Sequence, residues 1–515
     1  MELVFDGDRG MVRAICNGER SARWNVDDPD DMLLSLDPPD MQNRLSATMP
    51  ALARSRLVKD VPTMAMTQTW NTAELVANDQ AHLLHPVSNL HAVRRDGPLV
   101  FVRGEDVFLW DSDGKRYLDA FAGLWNVNVG HGRQELAEAA AAQIREVAFV
   151  PTFFGLAAPP AIELATRLAE LFPDPINHFQ FTSGGAESNE TALKIARYTW
   201  HLRGKPDKVK VISRKMAYHG IAMGALAATG IPAYHEGFGP ATPGFLHLTP
   251  PYAYRHGEGM SDEAFIAMLV DELEATIARE GAGTIAAMIG EPVQGAGGVV
   301  VPPDRYWQAI APVLQRHDIL LIFDEVITGF GRTGTLFGMQ QYGVTPDIVS
   351  FAKGITSGYI PLGGVGVSDE IFETLAEPNR MFMHGFTYSG HPVACAVALP
   401  NIRIIEEERL PQNAAIAGDF LLNELSQLLD RPYVGNVRGK GLMLLVEVVA
   451  DKATKAKFDP AHNIGGKLER VTRERGVIVR CTNDGIAMAP PLTIQRPELE
   501  TLVGAIADAL DEVLG

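Results

Sequence analysis

A chain of 515 residues, 46% of them hydrophobic, can bury a large core, and its length suggests roughly three domains at ~150 residues each, or fewer in an α/β fold. A formal net charge of -18 argues against a nucleic-acid surface as the main business of the protein. The three cysteines (Cys16, Cys395, Cys481) share no CxxC spacing and the fourteen histidines form no HExxH or HxH spacing, so neither a disulfide framework nor a metal site is expected. No stretch approaches about 18 uncharged apolar residues, and the first residues carry Glu2, Asp6 and Asp8 without a signal-type apolar run. A soluble, cytoplasmic protein with no membrane contact is expected.

Residues 1–65 differ from the rest. They hold the acidic, proline-containing text WNVDDPDDMLLSLDPPDM and a patch with Arg54, Arg56 and Lys59, with little periodicity. The expectation is a flexible extension outside the main fold. Met64 and Met66 directly precede the first convincingly ordered text, so an upstream start and a regulatory segment both remain open readings. Next, PLVFVRGEDVFLWDSDGKRYLDAF alternates apolar and polar residues around turn signals at Gly104-Glu105-Asp106 and Asp113-Gly114, which reads as strand and turn. Helices are expected over HGRQELAEAAAAQIREV and over PPAIELATRLAELF, whose prolines suit a first turn.

The middle alternates. Strands are predicted at HFQFTSGG, KVKVISR, TIAAMIGEP, DILLIFDEV, DIVSFAKG and LGGVGVS, with helices between them such as ESNETALKIARYTWHLRG, DEAFIAMLVDELEATIARE and PDRYWQAIAPVLQRHD. Repeated strand–helix–strand units of this size mean a mostly parallel sheet covered on both faces. The tail offers helix text over HPVACAVALPNIRIIEEERL and DFLLNELSQLLDR, strand text at GLMLLVEVV and GVIVR, and a last helix over ELETLVGAIADALDEVL. The predicted division is a large α/β domain over 126–384 and a smaller α+β domain made of 66–125 together with 385–515.

In open α/β sheets, ligands bind beyond the carboxyl ends of the strands. Glu291, Asp324 and Lys353 each follow a buried apolar strand there, with glycine turns at 184–185 and 295–298 nearby. Backbone amides at the Ser183-Gly184-Gly185 turn can hold a phosphate at a helix start. A lysine amine can form a Schiff base with an aldehyde cofactor once it loses its proton, and a pyridinium nitrogen wants a carboxylate partner. Lys353 and Asp324 meet both needs; a plain buried Lys–Asp ion pair meets the same spacing.

The stretch LIFDEVITGFGRTG, followed by TPDIVSFAKGI, carries a family likeness. With AGLWNVNVGHG, MAYHG, EPVQGAGG and HGFTYSGHP, it resembles the class III pyridoxal-phosphate aminotransferases of fold type I, in the omega-amino acid or amine:pyruvate branch, over about 66–515. The resemblance implies a large domain with a mostly parallel seven-stranded sheet plus a smaller α+β domain, pyridoxal 5'-phosphate as cofactor, and a homodimer with active sites at the subunit boundary. By position, Lys353 matches the Schiff-base lysine and Asp324 the pyridinium partner. Tyr218 matches the aromatic stacked on the ring, with His219 beside it, and Val326 the residue on the other ring face. Glu291 matches the residue near the ring hydroxyl. Gly184, Gly185 and Ala186 fall on the phosphate turn, where many relatives have Ser-Gly-Ser-Glu, so two hydroxyls are missing and Ser183 stands one position early. Thr387 matches the residue reaching the neighbouring subunit's phosphate. Trp125, Phe153 and Phe154 match pocket walls, and Arg480 the mobile arginine that grips a substrate carboxylate with both oxygens; core packing or a surface role is the plain alternative for each. The implied reaction is a ping-pong transamination from an omega-amino acid or primary amine to pyruvate, giving alanine. The alternatives are a 2-oxoglutarate-dependent enzyme of aminobutyrate, ornithine or diamine type, and a non-catalytic scaffold on the same fold.

Overall fold

The computed structural model describes residues 2–6, 11–16, 19–25 and 70–515. The chain divides into two compact units, Met1–Trp70 and Asn71–Gly515. In the first, β1 (Glu2–Asp6), β2 (Met11–Cys16) and β3 (Glu19–Asn25) form an antiparallel meander, with Glu2 opposite Ile15 and Met11 opposite Asn25. The rest of the 1–65 extension anticipated from sequence lies outside the described residues.

The second unit opens with two helices that the sequence pattern did not signal, α1 (Thr72–His82) and α2 (Leu90–Asp96). Neither has a fully buried residue, and each is started by an asparagine, Asn71 or Asn89, whose side chain accepts an amide of the first turn. An antiparallel meander follows: β4 (Phe101–Glu105), β5 (Phe108–Asp111) and β6 (Arg116–Asp119). Helices α3 (Gln134–Val147) and α4 (Pro159–Leu171) sit where the apolar spacing predicts them, α4 beginning on its two prolines.

The centre is an α/β arrangement around one seven-stranded sheet. Its strands are β7 (Ile176–Thr182), β8 (Lys210–Arg214), β9 (Phe245–Leu248), β10 (Ile285–Gly290), β11 (Leu320–Asp324), β12 (Ile348–Phe351) and β13 (Gly363–Ser368), in the order β7-β13-β12-β11-β10-β8-β9. Only β13 runs antiparallel to its neighbours. Every residue of β10, β11, β12 and β13 is buried, as expected for strands covered on both faces. Helix α5 (Gly185–Leu202) lays Ala192, Ile195 and Ala196 on one face of the sheet. The larger core on the other side includes residues of α6 (Asp262–Glu280) and α7 (Tyr306–Arg316).

The C-terminal part begins with α8 (Pro392–Glu407) and α9 (Leu410–Ser426). Arg409, with φ 53°, breaks the chain between them, and α9 starts nine residues before the predicted text because Pro411 can occupy a first turn. Strands β14 (Val434–Gly439) and β15 (Leu444–Val448), helix α10 (Ile464–Glu474), the short strands β16 (Val477–Ile478), β17 (Arg480–Thr482) and β18 (Gly485–Met488), and helix α11 (Arg496–Leu514) complete it. The predicted strand GVIVR serves two sheets. β16 pairs in parallel with β6, Val477 opposite Leu118, whereas β17 joins the antiparallel sheet β14-β15-β18-β17. The segment before residue 120 is thereby hydrogen-bonded to the C-terminal part. Among the described residues no helix is long and apolar enough to cross a membrane, and no cluster of side chains could hold a metal ion.

Candidate active site

Strands β11 and β12 are parallel neighbours with Asp324 opposite Ser350, so the chain leaving β12 carries Lys353 to the same end of the sheet as Asp324. Lys353 opens a short 3-10 turn with φ 48°, a backbone conformation that costs a non-glycine residue of order 1 kcal/mol or more and clusters at functional sites. Burial lowers its amine to about 8, Asp324 and Glu291 oppose that shift, and Arg332 and Arg480 add to it. Near neutral pH roughly a tenth of such an amine is uncharged, against well under a thousandth for an ordinary lysine.

Asp324 is almost wholly buried and tightly held. Its Oδ2 accepts Asn189 Nδ2 at 2.7 Å and His219 Nδ1 at 2.8 Å, and its Oδ1 accepts the Val326 amide at 3.0 Å. Because a carboxylate only accepts, His219 must carry its proton on Nδ1. Asn189 also donates to the His219 carbonyl (2.8 Å), and its own oxygen accepts the Ser350 hydroxyl (2.5 Å). The His219 amide rests on Thr229 (2.9 Å), and His219 Nε2 is buried with no partner among the described residues. One of the four acceptor positions of the Asp324 carboxylate is left for a donor that is not protein. A protonated ring nitrogen fits that need.

Glu291 leaves β10 and is as deeply buried as Asp324. It accepts the Tyr218 amide (3.0 Å) and the Gly295 amide (2.8 Å), and burial pushes its carboxyl up. Tyr218 is half-buried beside it, edge-on to Tyr234 with ring centroids 5.3 Å apart. Burial raises its hydroxyl, and both Arg480 and Asp324 act on it. Arg480, on β17, is half-buried; among the described residues its guanidinium has no hydrogen bond or ion pair, although its charge is felt at Lys353 and Tyr218.

At the start of α5, Gly184 is the N-cap, and among the described residues no side chain satisfies the first-turn amides. A Cβ on Gly184 would meet nothing within 4 Å, so the turn faces open space, whereas one on Gly185 would lie 2.7 Å from Val326 Cγ1. Gly185 therefore lets the turn sit against Val326. The Cβ of Ala186 packs toward Gly220, just past His219. Ser183, half-buried, gives its amide to Glu187 (2.8 Å). Open, unsatisfied amides at the start of an 18-residue helix suit a phosphate, with or without the absent hydroxyls.

The structure thus gathers Lys353, Asp324, Glu291, Tyr218, His219, Arg480 and the 184–186 turn. The pocket-wall candidates lie differently. Trp125 is buried, 5.0 Å from Phe121 in an edge-on pair. Phe153 and Phe154 line a groove with Met381, Met383 and the face of α4 rather than the Lys353 cluster. Phe154 is 97% exposed, and Thr387 is exposed as well. Asn189, Ser350, Tyr234 and Arg332 belong to the site's surroundings, and sequence reasoning assigned them no role. Arg332 stood inside the quoted GFGRTG text. Asn189 had no local signal, since its partner is 135 positions away.

Known proteins resemble this chain over most of its length. The sequence profile of the family Aminotransferase class-III matches residues 91–510. Putrescine–pyruvate aminotransferase of Pseudomonas aeruginosa is 42% identical over 451 residues, 87% of this chain and 97% of that protein. Diaminobutyrate–2-oxoglutarate transaminase of Halomonas elongata is 39% identical, covering 85% and 96%. Among solved structures, a thermostable (S)-enantioselective omega-transaminase from Thermomicrobium roseum is 72% identical with a TM-score of 0.86, covering 87% of this chain and all of that one. A PLP-bound amine transaminase from an uncultivated Pseudomonas species is 43% identical with a TM-score of 0.82, covering 84% and 98%.

Proposed function

The chain belongs to the class III aminotransferases, PLP-dependent enzymes acting on omega-amino groups, and we propose that it moves an amino group from an omega-amino acid or primary amine to pyruvate, giving alanine. The observation that carries the acceptor assignment is Arg480, a half-buried guanidinium with no protein partner among the described residues, set where its charge acts on Lys353 and Tyr218. A guanidinium so placed binds both oxygens of a keto-acid carboxylate. The 42% identity to an enzyme named for putrescine and pyruvate favours pyruvate. The 39% identity to a 2-oxoglutarate enzyme keeps that acid as the second reading.

When bound, pyridoxal 5'-phosphate supplies the carbonyl that takes up the amine and the ring that receives electrons from the substrate carbon. The chain's own residues divide the remaining work. The amides of Gly184, Gly185 and Ala186 would hold the phosphate, and Thr387 of a second copy would reach toward it. Asp324 would keep the ring nitrogen protonated, and His219 and Asn189 hold that carboxylate in place. With the cofactor bound, Tyr218 and Val326 would flank the ring, and Glu291 would stand near its hydroxyl. Lys353 Nζ, uncharged at modest cost because of its burial, takes the proton from the amine-bearing carbon in one half-reaction and returns one in the other. Arg480 holds the keto-acid carboxylate and withdraws for an uncharged amine. Trp125 would make an apolar wall, whereas Phe153 and Phe154, which line the groove with Met381 and Met383, would reach a substrate only in a second copy. The exposure of Phe154, Met381, Met383 and Tyr388 supports a homodimer in which that face is covered by the second copy. We assign 126–384 to the cofactor-binding domain and 66–125 with 385–515 to the smaller one. The 72% identity to an (S)-enantioselective enzyme supports the same handedness here.

The test is a panel of amine donors offered with pyruvate or 2-oxoglutarate and scored by the amino acid formed. Alanine formed from several primary amines is the expected result. Exclusive use of 2-oxoglutarate would overturn the acceptor assignment.

A further inference from the structure

A buried ionic group outside the site joins the sheet that carries Arg480 to the loop that holds Glu291. Its centre is Arg438 on β14. Arg438 Nε donates to the carbonyls of Gly298 (2.9 Å) and Val299 (3.0 Å), Nη2 donates to Gly298 (2.5 Å), and Nη1 donates to Glu447 Oε2 (2.6 Å) and Asn436 Oδ1 (3.0 Å). The guanidinium lies 4.5 Å from the Tyr252 ring centroid. Glu447, on β15, is 3% exposed and also accepts the Tyr252 hydroxyl and Arg255, whose Nε lies at 2.9 Å. Burial pushes its carboxyl up, but Arg438, Tyr252 and Arg255 outweigh that and hold it below the usual range. Such a group is fully paired, so breaking one member leaves a buried charge exposed to its full desolvation cost.

The loop gripped by Arg438 is fixed at its other end to the active site. The Gly295 amide holds Glu291, Gln294 Nε2 donates to the Lys215 carbonyl (3.1 Å), and Gly297 lies so close to Met216 that a Cβ there would stand 1.9 Å from its carbonyl oxygen. The 215–218 segment leads into Tyr218, whose amide completes the Glu291 pair. On the other side, β15 pairs with β18, Glu447 opposite Gly485, and β18 pairs with β17, Ala487 opposite Arg480. We infer that Arg438 is a positioning residue: its grip on the Gly298 and Val299 carbonyls, braced by Glu447, sets where Glu291 and Tyr218 lie and how the strand bearing Arg480 stands toward Lys353.

The inference rests on the cofactor-site reading above, and the experiment separates the two. Apoprotein is titrated with pyridoxal 5'-phosphate, its melting temperature is recorded, and the pH midpoint of the visible band of the loaded protein is measured for wild type, Arg438→Lys, Arg438→Met and Glu447→Gln. Arg438→Met should weaken cofactor binding by about tenfold or more and move the band midpoint, while Arg438→Lys stays within about threefold of wild type. Glu447→Gln should fall between them, and it carries the test with Arg438→Lys if Arg438→Met does not fold. Variants that lose melting temperature but keep wild-type cofactor affinity and band midpoint would overturn the positioning role while leaving the site assignment intact. A wild-type protein that takes up no cofactor would instead sink the site reading itself.

Discussion

Replacing Arg480 with alanine separates carboxylate recognition from the rest of the reaction. Arg480 has no ion-pair partner among the described residues, so its removal strands no buried carboxylate in the free enzyme. The expected loss is that of a charge-assisted contact to the keto acid, about 1.5–3 kcal/mol, or a rise of roughly 10–150-fold in its KM. The KM for an uncharged arylalkyl amine should change by no more than about twofold, since such a donor makes no use of the guanidinium. A second effect has a definite sign. Arg480 helps to lower the Lys353 amine, so its loss raises that pKa, and the acid limb of the kcat–pH profile moves to higher pH. Steady-state kinetics with pyruvate and a neutral amine across pH 6–10 would measure both. Equal KM changes for the two substrates, or an acid limb moving down, would refute the carboxylate role.

Two further outcomes follow from the same geometry. Asp324→Asn keeps an acceptor for Asn189 or His219 but removes the charge that a protonated ring nitrogen requires, so kcat should fall by about 10²–10³-fold or more while the protein still melts cooperatively; near-normal kcat with unchanged cofactor absorbance would contradict the assigned role. The chain shortened to residues 66–515 should fold and retain full activity, because Asn71–Gly515 forms a compact unit of its own; loss of folding or turnover would show that the first 65 residues are required.

Much of the large sheet was legible because its strands are short apolar runs bounded by glycine turns and charged residues. β10, β11 and β12 are of this kind, and Glu291, Asp324 and Lys353 stand directly at or beyond their ends. The motif around Asp324 and Lys353 added what spacing alone could not, namely which chemistry a buried lysine and aspartate serve. Other features escaped for identifiable reasons. α10 has its buried Ile464, Leu468, Val471 and Thr472 at helical spacing, but two glycines in its first turn mask the propensity. β14, VGNVRG, is mostly half-buried, with glycines that blunt the alternation of a strand. The division of GVIVR between two sheets escapes local reading, since β6, the partner of β16, is distant in the chain, whereas β17 turns straight back onto the adjacent β18. The same holds for the hydrogen bonds around Asp324, which join residues 135 and 105 positions away. Composition and pattern therefore locate the lysine and the aspartate, whereas only the fold shows what holds them.

The central claim is that Lys353 carries the cofactor. The direct measurement is the visible absorption spectrum of purified wild-type protein and of Lys353→Ala after equal exposure to pyridoxal 5'-phosphate and removal of the excess. The account predicts a yellow wild-type protein whose visible band is retained through desalting and lost in Lys353→Ala, with borohydride reduction fixing the cofactor to the wild-type chain alone. A Lys353→Ala protein that keeps the same band and is still labelled on reduction would place the covalent link on another residue and contradict the assignment.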